Sequence, residues 1–330
     1  MTLDIIVPHY KEPWARCQYL FDSIAMQRGV RTDEFRVILV NDGSDVVFDQ
    51  ETLNRYPFKI DYILKSHEGV SAARNAGLDH SDAEYVMFCD DDDGFLSNYG
   101  LYMVFSAIAE GFDLLVSNFI EETLAPKDNT LAIVGHDQDL TFMHGKVYRR
   151  QFLLDNDLRF DPSMTLHEDG YFNMLTHIVC TKTGGVQKAV KTPFYIWCWN
   201  GESTVRKERE DFTLRTYRDV MKTRIGLCRQ IRNRGYDDEL EISVLTTVMN
   251  SYYDFQKTAW LADKNRVFRE IAERAFKEYW NEFGKIFKNA TNMKIAEVAI
   301  LARQTATKNG MLLEQQDLKS FLRHIERDVK

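Results

Sequence analysis

Through the first 90 residues, short apolar runs that end in polar loops alternate with segments of helical period. Residues 3–7 form an apolar run halted by Pro8, the pattern of a buried strand that opens into a loop, here Pro8-His9-Tyr10-Lys11-Glu12-Pro13. Over 14–26 the residues Trp14, Cys17, Leu20, Phe21 and Ile24 recur three and four apart, which predicts a helix packed back on that strand. A second buried run, 36–40, gives way to Asn41-Asp42-Gly43-Ser44-Asp45, turn chemistry throughout. A third, around 62–64, leads through His67-Glu68-Gly69 into 71–77, read as a helix closed by Gly77. The strand 85–89 then delivers four consecutive aspartates, Asp90 to Asp93, and Gly94. A helix over 101–109, strands over 114–119 and 132–134, a helix over 171–178 and an aromatic strand over 193–199 complete this pattern.

From about residue 211 the texture changes. Leu214, Tyr217, Met221, Ile225 and Cys228 fall on one helical stripe, and Leu245, Val248, Met249 and Tyr252 on another. No proline follows Pro193, and further amphipathic stretches cover 267–287, 295–302 and 318–325. The expectation is an α/β fold, a Rossmann-like, mostly parallel sheet flanked by helices, followed by an α-helical C-terminal region of four to six helices. The boundary is placed between 1–206 and 207–330. Ligands of such sheets bind beyond the carboxyl ends of the strands. The loops at Pro8, Asn41 and Asp90 all lie at such ends, so one crevice can hold all three.

A chain of 330 residues can bury a substantial core, and 44% hydrophobic with 28% charged residues describes a globular protein. The formal charge of −8 argues against broad, non-specific binding to nucleic acid or anionic lipid, but leaves room for a local basic groove. Cys17, Cys89, Cys180, Cys198 and Cys228 are odd in number and widely spaced, so they read as reduced core residues and not as a disulfide frame or zinc site. Asp4 and Pro8 interrupt the first apolar run, so no signal peptide is visible, and no apolar stretch reaches ~18 residues. The expected location is the cytoplasm, with any membrane association peripheral.

Four carboxylates leaving a buried strand repel one another and cost several kcal/mol unless a cation or protons offset them. Oxygen-only ligands suit Mg2+ or Mn2+, which in turn suit a diphosphate. One aspartate there would be explained by a turn or a helix N-terminus. Four exceed that explanation.

Pro8-His9-Tyr10, the 40–45 turn, Gly69-Val70-Ser71-Ala72-Ala73-Arg74-Asn75-Ala76-Gly77, Phe88-Cys89 with the four aspartates, and Glu168-Asp169 occur in a familiar order and approximate spacing. In this the chain resembles glycosyltransferase family 2, the inverting enzymes of GT-A fold. The resemblance spans roughly 3–206 and says little about 207–330. It implies a nucleotide-sugar donor, a UDP-sugar first of all, a hydroxyl acceptor, and Mn2+ or Mg2+ as cofactor. By position, Pro8, Tyr10 and Glu12 would hold uracil and ribose. Lys11 replaces the family's usual Asn and is placed to meet a phosphate. Asp42 would accept from the base, Arg74 would lie near base and diphosphate, and Arg206 would supply charge to that diphosphate. Asp90 and Asp92 match the D-x-D acids, Asp92 on the metal and Asp90 on the ribose or a metal-bound water, with Asp91 grouped among the nucleotide-sugar residues. Asp169 is the expected general base, with Glu168 beside it. His144, Trp197 and Trp199 are candidates for sugar or acceptor contact.

Each has a plainer role to be weighed: an Asx-turn for Asp42, an exposed helix charge for Arg74, a helix cap for Asp169, a structural imidazole for His144, packing for the tryptophans. Rival functions are glycosylation of a hydroxylated nucleic-acid base or other anionic acceptor, a sugar-nucleotidyltransferase, and a non-catalytic nucleotide-sugar-binding scaffold. A nucleotidyltransferase would carry a glycine-rich phosphate loop after the first strand, which is absent after Val7. The basic residues of 206–234 read as an anion groove or a solvated helix face, and the helical tail offers a surface for homo-oligomers.

Overall fold

The computed structural model describes every residue except 126–127, 204–205, 207–211 and 330. It divides into two compact units, Met1–Gly201 and Glu202–Lys330. The strands of the first are β1 (Leu3–His9), β2 (Phe35–Asp42), β3 (Lys59–Lys65), β4 (Tyr85–Phe88), β5 (Gly94–Phe95), β6 (Leu114–Leu124), β7 (Leu131–His136), β8 (Lys146–Arg149) and β9 (Gln187–Trp197). They form one sheet of order β3-β2-β1-β4-β8-β6-β9-β5, with β7 on β6. The half from β3 to β4 is wholly parallel. Every residue of β1 and β2 is buried, which is why both read as mainly apolar runs without polar alternation, Asp4 and Arg36 being the charged exceptions. Beyond β4 the sheet is mixed: β8 is antiparallel to β4 and β6, whereas β9 is parallel to β6 and antiparallel to β5.

The helices of this unit are α1 (Trp14–Ala25), α2 (Gln50–Leu53), α3 (Val70–His80), α4 (Gly100–Ile108), α5 (Arg150–Asp155) and α6 (Glu168–Lys182). Four residues of the predicted stripe on α1, Cys17, Leu20, Phe21 and Ile24, pack into the core with Val7, Val37 and Leu39. At the amino ends of the parallel strands, the guanidinium of Arg36 donates Nε to Asp4 Oδ1 (2.8 Å), Nη2 to Asp4 Oδ2 (2.9 Å) and Nη1 to Asp61 Oδ2 (3.0 Å). Asp4 and Arg36 are register partners across β1 and β2.

Two local expectations are corrected. β1 continues through Pro8 to His9, paired with β2, because β4 leaves β1 after Ile6 and the missing N–H falls where only one neighbour remains. Gly77 does not close α3, which runs on to His80 and ends at Ser81. Its role is close approach: a Cβ at 77 would lie 2.3 Å from Ile6 Cγ2. Gly77→Ala is therefore expected to cost about 1–3 kcal/mol through overpacking, read as a lowered urea midpoint. An unchanged midpoint would mean that α3 shifts freely on β1.

The second unit contains α7 (Phe212–Asn233), α8 (Asp237–Asp254), α9 (Thr258–Leu261), a 3-10 turn Asp263–Asn265, α10 (Arg266–Asn289), α11 (Asn292–Lys308) and α12 (Leu318–Arg327). Leu214, Tyr217, Met221 and Cys228 are buried as their spacing predicts, while Ile225 is half-buried. No helix among the described residues is long and apolar enough to cross a membrane.

Candidate active site

Parallel strands bring the ends of β1, β2 and β4 to one edge of the sheet. Asp42, at the end of β2, is 2% exposed and accepts from Lys65 Nζ (2.7 Å) and the N–H groups of Glu68 (3.1 Å) and Gly69 (2.8 Å), with His67 Nδ1 at 2.8 Å. Burial acts against its charge, but Lys65 and the two N–H donors hold its pKa below the usual value. The Asx-turn belongs instead to Asn41, whose Oδ1 accepts from the Ser44 N–H at 2.7 Å. Tyr10, 40% exposed, stacks on His67 with centroids 4.2 Å apart. Lys11 adopts a left-handed φ of 64° and donates its N–H to Ser44 Oγ (2.9 Å), Glu12 pairs with Arg16 Nε (3.1 Å), and Pro8 stays buried within β1. Lys65 and His67 were not singled out in the sequence, since nothing local ties them to Asp42.

The four aspartates have four different sets of partners. Asp91 Oδ2 meets His9 Nδ1 at 2.7 Å and accepts from Cys17 Sγ at 3.6 Å, and His9 Nε2 donates to the Val46 carbonyl at 3.1 Å. Asp93 accepts from the Tyr195 hydroxyl (2.8 Å) and the Cys198 N–H (2.9 Å). Asp90 accepts from Arg74 Nη2 at 2.8 Å, and Asp92 from Asn200 Nδ2 at 2.6 Å. Burial, with Asp91 and Asp90 adding like charge, pushes Asp92 up to about 6. Burial and the neighbouring Asp92 and Asp90 raise Asp93 well above the carboxylate range, while at Asp90 Arg74 outweighs burial and lowers the pKa.

His144 completes this group. It is stacked on Tyr195 at 5.2 Å, with Trp197 at 5.1 Å, and burial pushes its pKa down to about 4. Its buried Nδ1 makes no hydrogen bond among the described residues and lies 3.4 Å from Asp93 Oδ2. Ligand atoms of Asp90, Asp93 and His144 lie within 4.8 Å of one another. Crowded, desolvated carboxylates with a neutral imidazole lone pair fit a divalent cation of the Mg2+ or Mn2+ type. Asp93 is the member that the sequence reading left unassigned. A second trio, His9, Cys17 and Asp91, is also close, but its groups satisfy one another and burial keeps the thiol protonated.

α6 opens at Glu168 behind His167, whose left-handed φ of 62° provides no side-chain cap. Asp169 does not cap it either. Its Oδ1 accepts from Arg74 Nη1 (2.6 Å) and its Oδ2 from the Met143 N–H (3.1 Å). Glu168 Oε1 accepts from the same Arg74 Nη1 at 3.0 Å. Arg74, 2% exposed, thus joins Asp90, Glu168 and Asp169 in one cluster, with the Phe160 ring 5.3 Å from its guanidinium carbon. It is no exposed helix charge.

Burial and the adjacent Asp169 push Glu168 up to about 8. An acid whose pKa is raised by folding stabilises the fold below its unfolded value near 4.5 and loses that contribution as pH rises through about 8. The metal-free protein is expected to melt at lower temperature at pH 8.5 than at pH 5.5, and Glu168→Gln to flatten that slope in a thermal melt. An unaltered slope would assign it to other groups.

Phe142 and Trp197 stand 5.1 Å apart, and the Trp199 N–H donates to Glu122 Oε2 (2.9 Å). Lys146, fully buried, donates to the His144 carbonyl at 3.1 Å and is pushed down to about 8 by burial. Arg206 belongs to the second unit, where its N–H donates to the Ser203 carbonyl at 3.0 Å; its neighbours Thr204 and Val205 lie outside the described residues.

A family model described as glycosyl transferase family 2 matches residues 4–167. The putative glycosyltransferase EpsH of Bacillus subtilis (strain 168) is 26% identical over 200 residues, 54% of this chain and 56% of EpsH. The poly(ribitol-phosphate) beta-N-acetylglucosaminyltransferase TarS of Staphylococcus aureus (strain Mu50 / ATCC 700699) is 24% identical over 276 residues, 78% of this chain and 45% of TarS. The chain therefore spans about half the length of these curated relatives. The crystal structure of S. aureus TarS 1–349 matches with a TM-score of 0.61 at 18% identity, covering 94% of this chain and 91% of that one, and shows the same GT-A fold with its helical C-terminal region. Motifs, sheet and family model agree, and the chain belongs to glycosyltransferase family 2.

Proposed function

We propose that this protein is a metal-dependent inverting glycosyltransferase that moves a sugar from a UDP-sugar to an acceptor hydroxyl. The observation that carries the proposal is the Arg74 cluster, in which one guanidinium holds both Asp90 of the aspartate run and Asp169 of α6. Donor-side acids and an acceptor-side carboxylate are thereby set in one frame. A crystal structure of TarS in complex with UDP, TM-score 0.56 to this chain, supports the donor class.

In this reading the Tyr10 ring and Asp42 would hold the nucleoside, and Asp90 and Asp92 would hold Mn2+ or Mg2+, with Asp93 and His144, which lie close to Asp90, as further candidate ligands. The bound cation would offset the charge that develops on the departing nucleoside diphosphate. Asp169 takes the proton of the acceptor hydroxyl as that oxygen attacks C1 of the sugar. The bond from C1 to the diphosphate oxygen breaks, its electron pair leaves with the diphosphate, and attack from the opposite face inverts C1. Arg74 and the Met143 N–H keep the Asp169 carboxylate aimed throughout.

The test is a thermal melt with Mn2+ and UDP, followed by release of UDP from a panel of UDP-sugars. At a hundredfold excess over Kd, UDP with Mn2+ should stabilise the protein by about 2.7 kcal/mol, and Asp92→Ala or EDTA should abolish the effect. Absence of Mn2+-dependent UDP binding would overturn the proposal.

A further inference from the structure

The carboxylate of Asp42 is already full. Its Oδ1 accepts from Lys65 Nζ (2.7 Å) and the Glu68 N–H (3.1 Å), and its Oδ2 from the Gly69 N–H (2.8 Å) and His67 Nδ1 (2.8 Å). An ionised carboxylate offers about four lone-pair sites, so the N–H of an entering base finds an acceptor here only when one of these donors leaves. Two of the four are main-chain groups at the start of α3. Lys65 is tied as well to the Ser66 carbonyl (2.7 Å) and to Glu68 Oε2 (2.9 Å), and its side chain is 15% exposed. The His67 side chain is 53% exposed, and the contacts of its Nδ1 are both with Asp42, at Oδ2 and at the carbonyl oxygen (3.0 Å). It is the donor that can yield.

The His67 ring also lies flat on Tyr10, with centroids 4.2 Å apart and planes 15° from parallel. Its Nδ1 faces two acceptors, which makes it the nitrogen that carries the proton. A planar ring stacked on Tyr10 with an N–H aimed at Asp42 is the pose that the proposed donor reading gives to uracil. The main chain beneath the imidazole is fixed, because a Cβ at Gly43 would lie 2.5 Å from His67 N and the next two N–H groups are held by Asp42. Movement at this position is therefore confined to the side chain.

We infer that His67 stands in for the nucleobase in the free protein. Its imidazole fills the base's place on Tyr10 and swings into solvent when the base enters, so that Asp42 Oδ2 exchanges the Nδ1–H of His67 for the N–H of the base. The inference rests on the proposed donor reading and adds to it a residue that sets donor affinity. One stacked ring and one hydrogen bond replace another pair of the same kind, so part of what the base gains on binding is offset by what the imidazole loses.

Calorimetric titration of the full chain and of His67→Ala with UDP and Mn2+ tests this, with pyrophosphate and Mn2+ as the ligand that lacks a base. His67→Ala should lower the Kd for UDP about three- to tenfold, the range of one net hydrogen bond, and leave the Kd for pyrophosphate unchanged. A second measurement uses the unaltered protein. The ring-proton signal of His67, identified by its loss in His67→Ala, should be shielded by Tyr10 in the free state and move downfield as UDP saturates the site. An equal or higher Kd for UDP in the variant, a matching gain for pyrophosphate, or a ring signal that stays in place would each overturn the inference and leave the donor reading standing, because UDP still binds. Absence of Mn2+-dependent UDP binding by either protein would instead remove the donor reading on which it rests.

Discussion

Asp169→Asn is expected to lower turnover with acceptor by about 10²–10⁴-fold, the range a positioned general base contributes. The substitution removes the charge and the proton-accepting capacity, yet its carbonyl oxygen can still accept from Arg74, so the fold and UDP binding should survive. Turnover is read as UDP release at saturating donor, and integrity as the melting temperature with and without UDP and Mn2+. The pairing of readouts matters, because Asp169 also takes the Met143 N–H and helps to hold the 137–143 segment on α6. A drop of less than tenfold with unchanged UDP binding would take the base role away from Asp169.

Arg74→Met should have the largest effect on stability. It leaves Asp90, Glu168 and Asp169 without the cation they share, and removing one partner of a buried ionic group typically costs about 3–5 kcal/mol. Urea unfolding at pH 7 should show that loss, and at pH 5, where more of the carboxyls are protonated, the loss should shrink. Arg74→Lys restores the charge but not the planar fork that reaches Asp90 through one nitrogen and the α6 acids through another. It should recover part of the stability and little of the turnover. Equal stability of Arg74→Met and the parent protein would mean that these acids are already neutral in the folded state.

The order of strands and helices was legible because burial on both faces of β1 and β2 leaves a run of apolar residues, and packing on one face leaves a stripe such as that of α1. Gly77 was misread for a definite reason: a glycine near the end of a periodic segment looks like a cap, while the Ile6 side chain that demands it lies 71 positions away in the chain. The aspartate run was visible as a concentration of charge, but sequence does not show which way each carboxylate turns. Asp91 meets His9 and Cys17, and Asp93 meets Tyr195 and Cys198, contacts 74 to 105 positions apart. Arg74 shows the same limit. Its motif pointed to the nucleotide, and its partners in the structure are carboxylates on two other elements. β8 and α5, inside a segment with weak period, were not separated at all.

The bidentate pair between Asp4 and Arg36 acts as a gauge for strand alignment. A slip of one residue between β1 and β2 would turn the side chains of one strand to its other face and strand two charges in the core, so a single alignment is selected at the end of the sheet away from the site. Alignment fixed there delivers His9 and Asn41 as neighbours at the opposite end without help from the loops that follow. Those loops are then free to change length and composition while the frame stays constant. A protein built this way can acquire a new substrate by exchanging loops, because the accuracy of its site is stored some six residues upstream of the chemistry.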